Sequence, residues 1–307
     1  YGVPIYCTIE LLAARKDLFE NEGMRYPTTF DETVAAARHF HDPLRNFYGI
    51  GWNGANGMPV ASTFMFMMAC CGESILNLPK SRPFFTVDKA KGDQLRPQVL
   101  SEAGFNVLDY LHRLIPYSPP DILEMDWDRR TTIFLEGSAA MAYCWTVRAA
   151  RFETDIASAV RHKVAYLQQP RGHAGASNNP IGGFLLCIPS NLPEDQVELA
   201  FEAIAWMASP EAMKAGVRNG FPVAPRFSVS ADPEAAATSP IVSVVDKLAK
   251  RNMLKSWPRP PVPEYLAIEL ALGTEIHRAL SRELTDRQAL ENAQAKIDAI
   301  MRAAGYY

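Results

Sequence analysis

The sequence predicts an α/β fold, because short apolar runs with strand composition alternate along the chain with helices of clear amphipathic period. Four such runs are predicted strands, at residues 1–6, 48–52, 139–145 and 164–167. A fifth run, residues 180–189, opens with two adjacent glycines after its first two residues and ends at a proline. Paired glycines in a buried strand indicate backbone that bends or that another group approaches closely, so we interpret this run as a hinge.

The helices are predicted from capping signals and apolar spacing. Thr29 and Glu32 have the capping-box spacing, so a helix is expected to start there and to run to about Phe40. Residues 60–71 are apolar on all sides, which predicts a buried helix. Further helices are expected to begin at or near Ser101, Asp128, Pro193, Ser209, Ile241 and Thr285.

The length of 307 residues suffices for one large domain or two ordinary ones. A formal net charge of −3 argues against a nucleic-acid partner, because binding phosphates requires a basic surface. The chain has no apolar run long enough for a membrane span, so we expect none. It does not begin with Met and has no basic and apolar leader, which indicates a mature or truncated piece.

Two short motif matches are too weak to carry a function. Residues 49–54 match the dinucleotide-binding glycine fingerprint, but that motif needs a helix directly after it, and here another loop follows. His39 and His41 lie two residues apart, so on a helix they point to different faces and cannot bind one metal ion together. We therefore expect no metal site and no cofactor.

Acidic residues leave open a glycosidase, which needs two carboxylates about 5 to 9.5 Å apart across a sugar. The candidates are Glu10, Asp126, Asp128 and Glu136, and the sequence does not place any two of them face to face. Asp126 is more simply explained as the cap of the helix that follows it. No Gly-x-Ser-x-Gly elbow is present to indicate a serine hydrolase, and we name no catalytic residue.

Aromatic, amide and guanidinium groups near predicted strand ends and loops form a different kind of candidate site. Flat aromatic rings can stack on the C–H faces of a sugar, while amides and arginine can bind its hydroxyls. For each residue the alternative is ordinary core packing. The candidates are Tyr6, Trp52, Asn53, Asn56, Trp145 and Arg226.

The order of these pieces resembles the family 1 extracellular solute-binding proteins that serve sugar ABC transporters. The resemblance covers nearly the whole chain and depends on the order and spacing of short motifs together. These motifs are Tyr1-Gly2-Val3-Pro4-x-Tyr6, Arg15-Lys16-Asp17-Leu18-Phe19, Pro27-Thr28-Thr29-Phe30-Asp31-Glu32, Phe134-x-x-Gly137-x-Ala139-Ala140-Met141-x3-Trp145, Ile181-Gly182-Gly183-x4-Ile188-Pro189, Pro222-x2-Pro225-Arg226 and Ala304-Gly305-Tyr306-Tyr307.

The resemblance implies a class II periplasmic-binding-protein-like fold, in which two α/β lobes are joined by hinge strands. It also implies that the N-terminal portion of the first lobe is missing from this sequence. Residues 1–8 would form a hinge strand and residues 9–180 the second lobe. Residues 181–226 would contain hinge crossings and the rest of the first lobe, and residues 227–307 would return to the second lobe as helices.

The same resemblance carries expectations about individual residues. It makes Trp145 the stacking aromatic of the second lobe and adds the hinge residues Gly182 and Gly183 to the candidate site. Thr8 stands where family members often place an acid or amide that contacts the ligand, so this position is a candidate with a departure from the usual type. Without the missing portion, the helices in residues 193–220 are expected to expose an apolar face.

The function that the resemblance implies is an extracytoplasmic receptor, not an enzyme. It would be periplasmic, or extracellular and lipid-anchored, and would capture a sugar or oligosaccharide by hinge closure for the membrane permease subunits of an ABC importer. Two alternatives stay open at this point. One is a carbohydrate-active hydrolase of the same compartment, and the other is a binding protein for a charged small molecule or a peptide.

Overall fold

A computed structural model describes residues 2–78, 90–173, 175, 177–255 and 258–307, so Tyr1 of the opening motif lies outside the described residues. The expected α/β composition is present. The strands are β1 (Val3–Arg15), β2 (Tyr48–Gly51), β3 (Ala139–Trp145), β4 (Val164–Leu167), β5 (Asn179–Leu186) and β6 (Leu254–Lys255).

The helices begin close to where the capping signals placed them. The predicted capping box of Thr29 with Glu32 forms, and Thr285 forms a second one with Gln288 at the start of the last helix. The helices are α1 (Lys16–Asn21), α2 (Phe30–Phe40), α3 (Met58–Cys70), α4 (Glu102–Leu114), α5 (Trp127–Leu135), α6 (Thr146–Ala149), α7 (Arg151–Thr154), α8 (Glu194–Met207), α9 (Pro210–Arg218), α10 (Phe227–Ser230), α11 (Pro233–Thr238), α12 (Pro240–Lys250), α13 (Tyr265–Leu280) and α14 (Asp286–Ala303). None of the helices in the described ranges is long and apolar enough to cross a membrane.

Strand β1 organises the sheet, because its two halves pair with different partners. Its first half, from Val3 to Ile9, runs antiparallel to β5. Its second half, from Glu10 onwards, lies antiparallel to β3 on one side and to β4 on the other. The sheet order is β2-β3-β1-β5-β6, with β4 attached to β1. One continuous strand therefore connects the region paired with β5 to the region paired with β3 and β4, and its role as a hinge stays a prediction.

Val223, near the end of the range 181–226 in which hinge crossings were expected, adjoins β1. The backbone amide of Cys7 in β1 donates to the carbonyl of Val223 at 3.0 Å. Cys7 is also the register partner of Gly183 in β5. Three segments of the chain, β1, β5 and the stretch at Val223, thus meet near Cys7.

The buried apolar residues form two separate clusters. The larger one surrounds β1, β2, β3 and the buried helix α3, whose side chains from Val60 to Cys70 are all buried. The smaller one joins α9 to α10, α11 and one face of α12. We expected residues 227–307 to return to the second lobe, but α10 and α11 pack on α9 instead. Among the described residues of this range, α12 contributes to both clusters, and Val262, α13 and α14 contribute to the large core.

Strand β5 differs from the predicted buried strand, since Phe184 and Leu185 are exposed. These two residues are adjacent in the strand and so lie on its opposite faces, and more than half of the surface of each is exposed. The neighbouring helix α8 also exposes an apolar face, with Leu199 66% and Trp206 70% exposed. This agrees with the expectation that the helices in residues 193–220 leave such a face uncovered.

Candidate functional site

A cleft of about 500 Å³ lies beside the end of β3, where β1 pairs with β5. It brings together five of the predicted site residues from three separate parts of the chain. Seven further residues complete its wall. The five predicted residues are Tyr6, Thr8, Trp145, Gly182 and Gly183, and the others include Trp127, Asp128, Arg148, Arg151 and Arg259.

Trp145 is the last residue of β3 and is packed tightly at the base of the cleft, with 5% of its surface exposed. The ring of Phe66 meets its indole edge-on, with centroids 5.5 Å apart. The guanidinium of Arg259 lies over the indole, 5.2 Å from the centroid. Most of the indole is therefore already in contact with protein, and a ligand could reach only the remaining part.

The two glycines serve different purposes. A Cβ at Gly183 would lie 2.9 Å from the backbone carbonyl oxygen of Tyr6, which is too close, so β1 and β5 can approach here only because the residue is glycine. A Cβ at Gly182 would make ordinary contacts of 3.6 Å with the indole of Trp145 and with the methyl group of Thr8. Glycine at position 182 therefore leaves open the space beside the indole.

Thr8 and Tyr6 are held in place by neighbours on other elements. The hydroxyl of Thr8 is hydrogen-bonded to the hydroxyl of Thr146 at 3.2 Å and accepts from the amide of Val147 at 3.3 Å. These contacts tie β1 to the N-terminus of α6. The ring of Tyr6 stacks on Phe184, with centroids 4.8 Å apart. The paired strands β1 and β5 therefore both contribute to the cleft, β1 with Thr8 and Tyr6 and β5 with Phe184.

A buried ion pair lies behind the cleft wall. The carboxylate of Glu10, the register partner of Trp145, accepts from Arg130 at 2.7 Å, and both side chains are buried. Burial raises the pKa of Glu10, and the charge of Arg130 opposes this rise without cancelling it. Sequence analysis had named Glu10 only as a possible glycosidase acid.

The other predicted site residues lie elsewhere. Trp52 is fully buried, and its indole N–H donates to Ser118 at 2.9 Å. Asn53 is buried in the loop after β2, and Asn56 is exposed in the same loop. Arg226 donates to the carbonyl of Ala208 at 2.7 Å. The structure does not bring these four residues to the cleft, because the loop after β2 folds into the large core and Arg226 ties α10 to the end of α8.

Sequence reasoning missed the cationic part of the cleft. Arg148 and Arg151 follow β3 on two short helices, α6 and α7, and Arg259 comes from a proline-rich stretch between α12 and α13. Trp127 directly follows Asp126, the N-cap of α5, so it is the first residue of that helix. This position is the one feature of the sequence that could have indicated a ring near the surface. The arginines carry no such signal, since they meet only through the fold.

The four candidate carboxylates do not form a pair across the cleft. Glu10 is bound to Arg130, and Asp126 caps α5 through the amides of Asp128 and Arg129. Asp128 lines the cleft, where it accepts from Arg148 at 2.9 Å. Glu136 is exposed at the end of α5. Within the described residues, no group of three or more histidine, cysteine or acidic side chains is arranged to hold a metal ion.

A known protein family matches more than half of this chain. The family described as bacterial extracellular solute-binding protein matches residues 1–214. This chain belongs to that family.

Two curated relatives match across nearly the whole chain. One is the mannitol-binding protein of Pseudomonas aeruginosa, 26% identical over 328 residues, covering 100% of this chain and 70% of that protein. The other is a probable amino-acid ABC transporter periplasmic-binding protein of Sinorhizobium fredii, 21% identical over 311 residues, covering 99% of this chain and 65% of that protein. The chain thus spans about two thirds of the length of these solute-binding proteins.

A solved structure of the family confirms the predicted fold class. An ABC transporter solute-binding protein from Agrobacterium radiobacter K84, crystallised in complex with ribitol, superposes with a TM-score of 0.85 at 29% identity. The match covers 97% of this chain and 71% of that protein. The chain therefore has the periplasmic-binding-protein-like α/β fold that the resemblance implied.

Proposed function

We propose that this solute-binding protein captures a sugar or polyol in the cleft beside Trp145 and delivers it to an ABC importer. The observation that carries the proposal is the position of the cleft. It lies where β1 pairs with β5 and is lined by aromatic and polar groups. Membership of the solute-binding family supports it. So do the names of two similar proteins, one mannitol-binding and one crystallised with ribitol.

The wall of the cleft suits a neutral ligand with many hydroxyls. The rings of Trp127 and Tyr6, with the open part of Trp145, offer apolar surface to C–H groups. The hydroxyl of Thr8 and the nearby guanidinium groups offer hydrogen bonds. Micromolar affinity requires a net free energy of about 8 kcal/mol, which such contacts supply only when water is excluded from them.

Closure of the cleft would exclude that water. Because β1 passes without a break between the two apolar clusters, a small change in its backbone angles near Cys7 would move one body relative to the other. The ligand drives this motion only to the extent that it binds the closed form more tightly than the open form. In this proposal the protein performs no chemistry, is periplasmic or extracellular and lipid-anchored, and passes its ligand to membrane permease subunits.

A thermal-shift measurement with ribitol, D-mannitol and maltose tests the proposal. A ligand at about 100 times its Kd stabilises the folded state by about 2.7 kcal/mol, so the unfolding temperature should rise by several degrees for at least one of the three. The variant Trp145→Ala should reduce that rise, and the control Trp206→Ala, on the exposed face of α8, should leave it unchanged. Absence of any rise with the wild-type protein would contradict the proposal.

A charged ligand is the second candidate, and the cleft arginines favour it. Arg148, Arg151 and Arg259 line the cleft together with the single acid Asp128. The name of the Sinorhizobium relative refers to amino acids. Including L-glutamate and D-gluconate in the same measurement separates the two candidates, since a rise with these acids alone would favour a charged ligand. Turnover of an aryl glycoside would instead indicate the hydrolase.

A further inference from the structure

Arg259 differs from the other two arginines of the cleft in how its charge is used. The guanidinium of Arg148 pairs with Asp128 at 2.9 Å, and that of Arg151 pairs with Asp155 at 3.2 Å. Arg259 makes no salt bridge with any carboxylate in the described ranges. Its Nε is buried, and none of the described residues accepts a hydrogen bond from it.

The position of the Arg259 guanidinium is nevertheless well defined. It lies over the indole of Trp145 at 5.2 Å and over the ring of Phe66 at 5.3 Å, measured from Cζ to the ring centroids. Contact with two rings that are nearly perpendicular to each other limits where the guanidinium can lie. The group therefore sits at the base of the cleft in a limited range of positions.

A polar network lies beside Arg259, behind the cleft. Tyr265 lies close to Arg259, and its O–H donates to the carboxylate of Glu269 at 2.8 Å. The hydroxyl of Ser62 in α3 donates to the same carboxylate oxygen at 2.9 Å, and Glu269 is buried. The network thus links α13 to α3, two helices of the large core, next to Arg259.

We propose that Arg259 contacts the bound ligand and determines which pattern of hydroxyl groups the cleft accepts. This rests on the proposed function, that the cleft binds a sugar or polyol. A planar guanidinium can donate two parallel hydrogen bonds to two neighbouring oxygens, and adjacent hydroxyls of a polyol present such a pair. In a cleft from which water is excluded, an analogue that lacks one of these hydroxyls leaves a buried donor unpaired and binds much more weakly.

Calorimetric titration tests the proposal with whichever of ribitol and D-mannitol binds the wild-type protein more tightly, and with its monodeoxy analogues. Arg259→Met should weaken binding of the polyol by about 10- to 100-fold, since it removes hydrogen bonds from a charged donor. The Kd of Arg259→Lys should lie between those of wild type and Arg259→Met, because lysine keeps the charge but lacks the planar guanidinium. Arg251→Met, at an exposed arginine of the same segment, should change Kd by no more than about twofold.

The monodeoxy analogues separate ligand contact from packing. The wild-type protein should bind at least one analogue about tenfold more weakly than the parent polyol, and Arg259→Met should bind that analogue and the parent equally well. If Arg259→Met weakens the parent and every analogue by the same factor, Arg259 only supports Trp145 and the proposal is wrong. If the variant binds the parent as tightly as wild type does, this inference alone is overturned. If none of ribitol, D-mannitol and maltose binds the wild-type protein, the proposed function fails and this inference fails with it.

Discussion

At the scale of single residues, the ion pair of Glu10 and Arg130 is the most consequential contact near the cleft. Both side chains are buried, and one oxygen of Glu10 and two nitrogens of Arg130 have no hydrogen-bond partner in the described part of the chain. Removing two charges from water costs free energy that their mutual attraction only partly returns. The pair is therefore a weak source of stability, but either charge left alone would be costly.

We expect the single substitution Arg130→Met to lower the free energy of unfolding by about 3 to 5 kcal/mol, because Glu10 would stay buried without a counter-charge. The double substitution Glu10→Met with Arg130→Met should recover most of that loss. Urea denaturation at neutral pH measures both values. A double variant as unstable as the sum of the two single variants would contradict this account.

At the scale of elements, two neighbouring glycines have different roles. The pairing of β1 with β5 depends on Gly183, and the open space in the cleft beside Trp145 depends on Gly182. Gly183 faces the backbone carbonyl of Tyr6, which cannot move without disturbing the strand pairing. Gly182 faces the side chains of Trp145 and Thr8 at ordinary contact distance. Neighbouring residues on one strand thus have separable roles, since successive positions point to opposite faces.

The alanine variants of these two glycines should therefore behave differently. Gly183→Ala should lower the unfolding temperature, because its methyl group would overlap the Tyr6 carbonyl. Gly182→Ala should keep nearly the wild-type unfolding temperature but weaken binding of a polyol, because its methyl group occupies space beside the indole. Thermal unfolding with and without D-mannitol or ribitol distinguishes the effects. Equal loss of stability in both variants would show that the two positions are equivalent.

The contact between α13 and α14 depends on pH through Glu275. Its side chain is fully buried and accepts from Lys296 at 2.6 Å and from Asn292 at 3.0 Å. Burial alone would raise the pKa of Glu275. The hydrogen bonds from Lys296 and Asn292 and the positive charges of Lys296 and Arg278 outweigh this effect, so the pKa is lowered. A carboxyl whose pKa is lower in the folded state stabilises the fold above its unfolded pKa and loses that contribution as the pH falls.

We expect Glu275→Gln to cost about 2 kcal/mol near neutral pH, the value of hydrogen bonds to a charged group. The difference from wild type should shrink as the pH falls below about 4.3, the ordinary pKa of a glutamic acid, because the wild-type carboxyl then also becomes neutral. Urea denaturation over a pH series provides the test. The control Glu291→Gln, at an exposed residue of α14, should show little change at any pH, and a pH-independent cost for Glu275→Gln would contradict the assignment.

At the scale of the whole molecule, the apolar surface of α8 and β5 has no covering element in the described ranges. Leu199 and Trp206 are seven residues apart, so they lie on one face of α8. Phe184 and Leu185 are exposed on β5. Exposed apolar surface of this kind favours association with other apolar surfaces.

We therefore expect this 307-residue chain to self-associate as its concentration rises, with a second copy covering the α8 face. The double variant Leu199→Glu and Trp206→Glu should shift the population towards monomer in sedimentation velocity experiments. Leu44→Glu, at a side chain that is 95% exposed outside this surface, serves as the matched control. An equal shift with the control, or none with the double variant, would exclude α8 as the contact.

The local elements were largely predictable because they depend on neighbouring residues. Capping boxes at Thr29 and Thr285, the cap at Asp126 and the apolar strand ending at Trp145 all depend on interactions within a few positions. The site was predicted only in part. The resemblance and strand-end reasoning named five residues of the cleft, but burial of Trp52 and the arrival of Arg259 depend on contacts between distant segments, which no local pattern records.

The sequence by itself determined the alternation of strands and helices and their capped boundaries, because these follow from local hydrogen bonding, steric limits and apolar period. Its resemblance to a family also determined the fold class. Only the tertiary structure decided that one half of β1 pairs with β5 and the other half with β3 and β4. It also decided that the guanidinium of Arg259 rests on the indole of Trp145, 114 positions earlier in the chain. The physical reason is that the packing of segments far apart in sequence is settled by the shape and charge of whole surfaces.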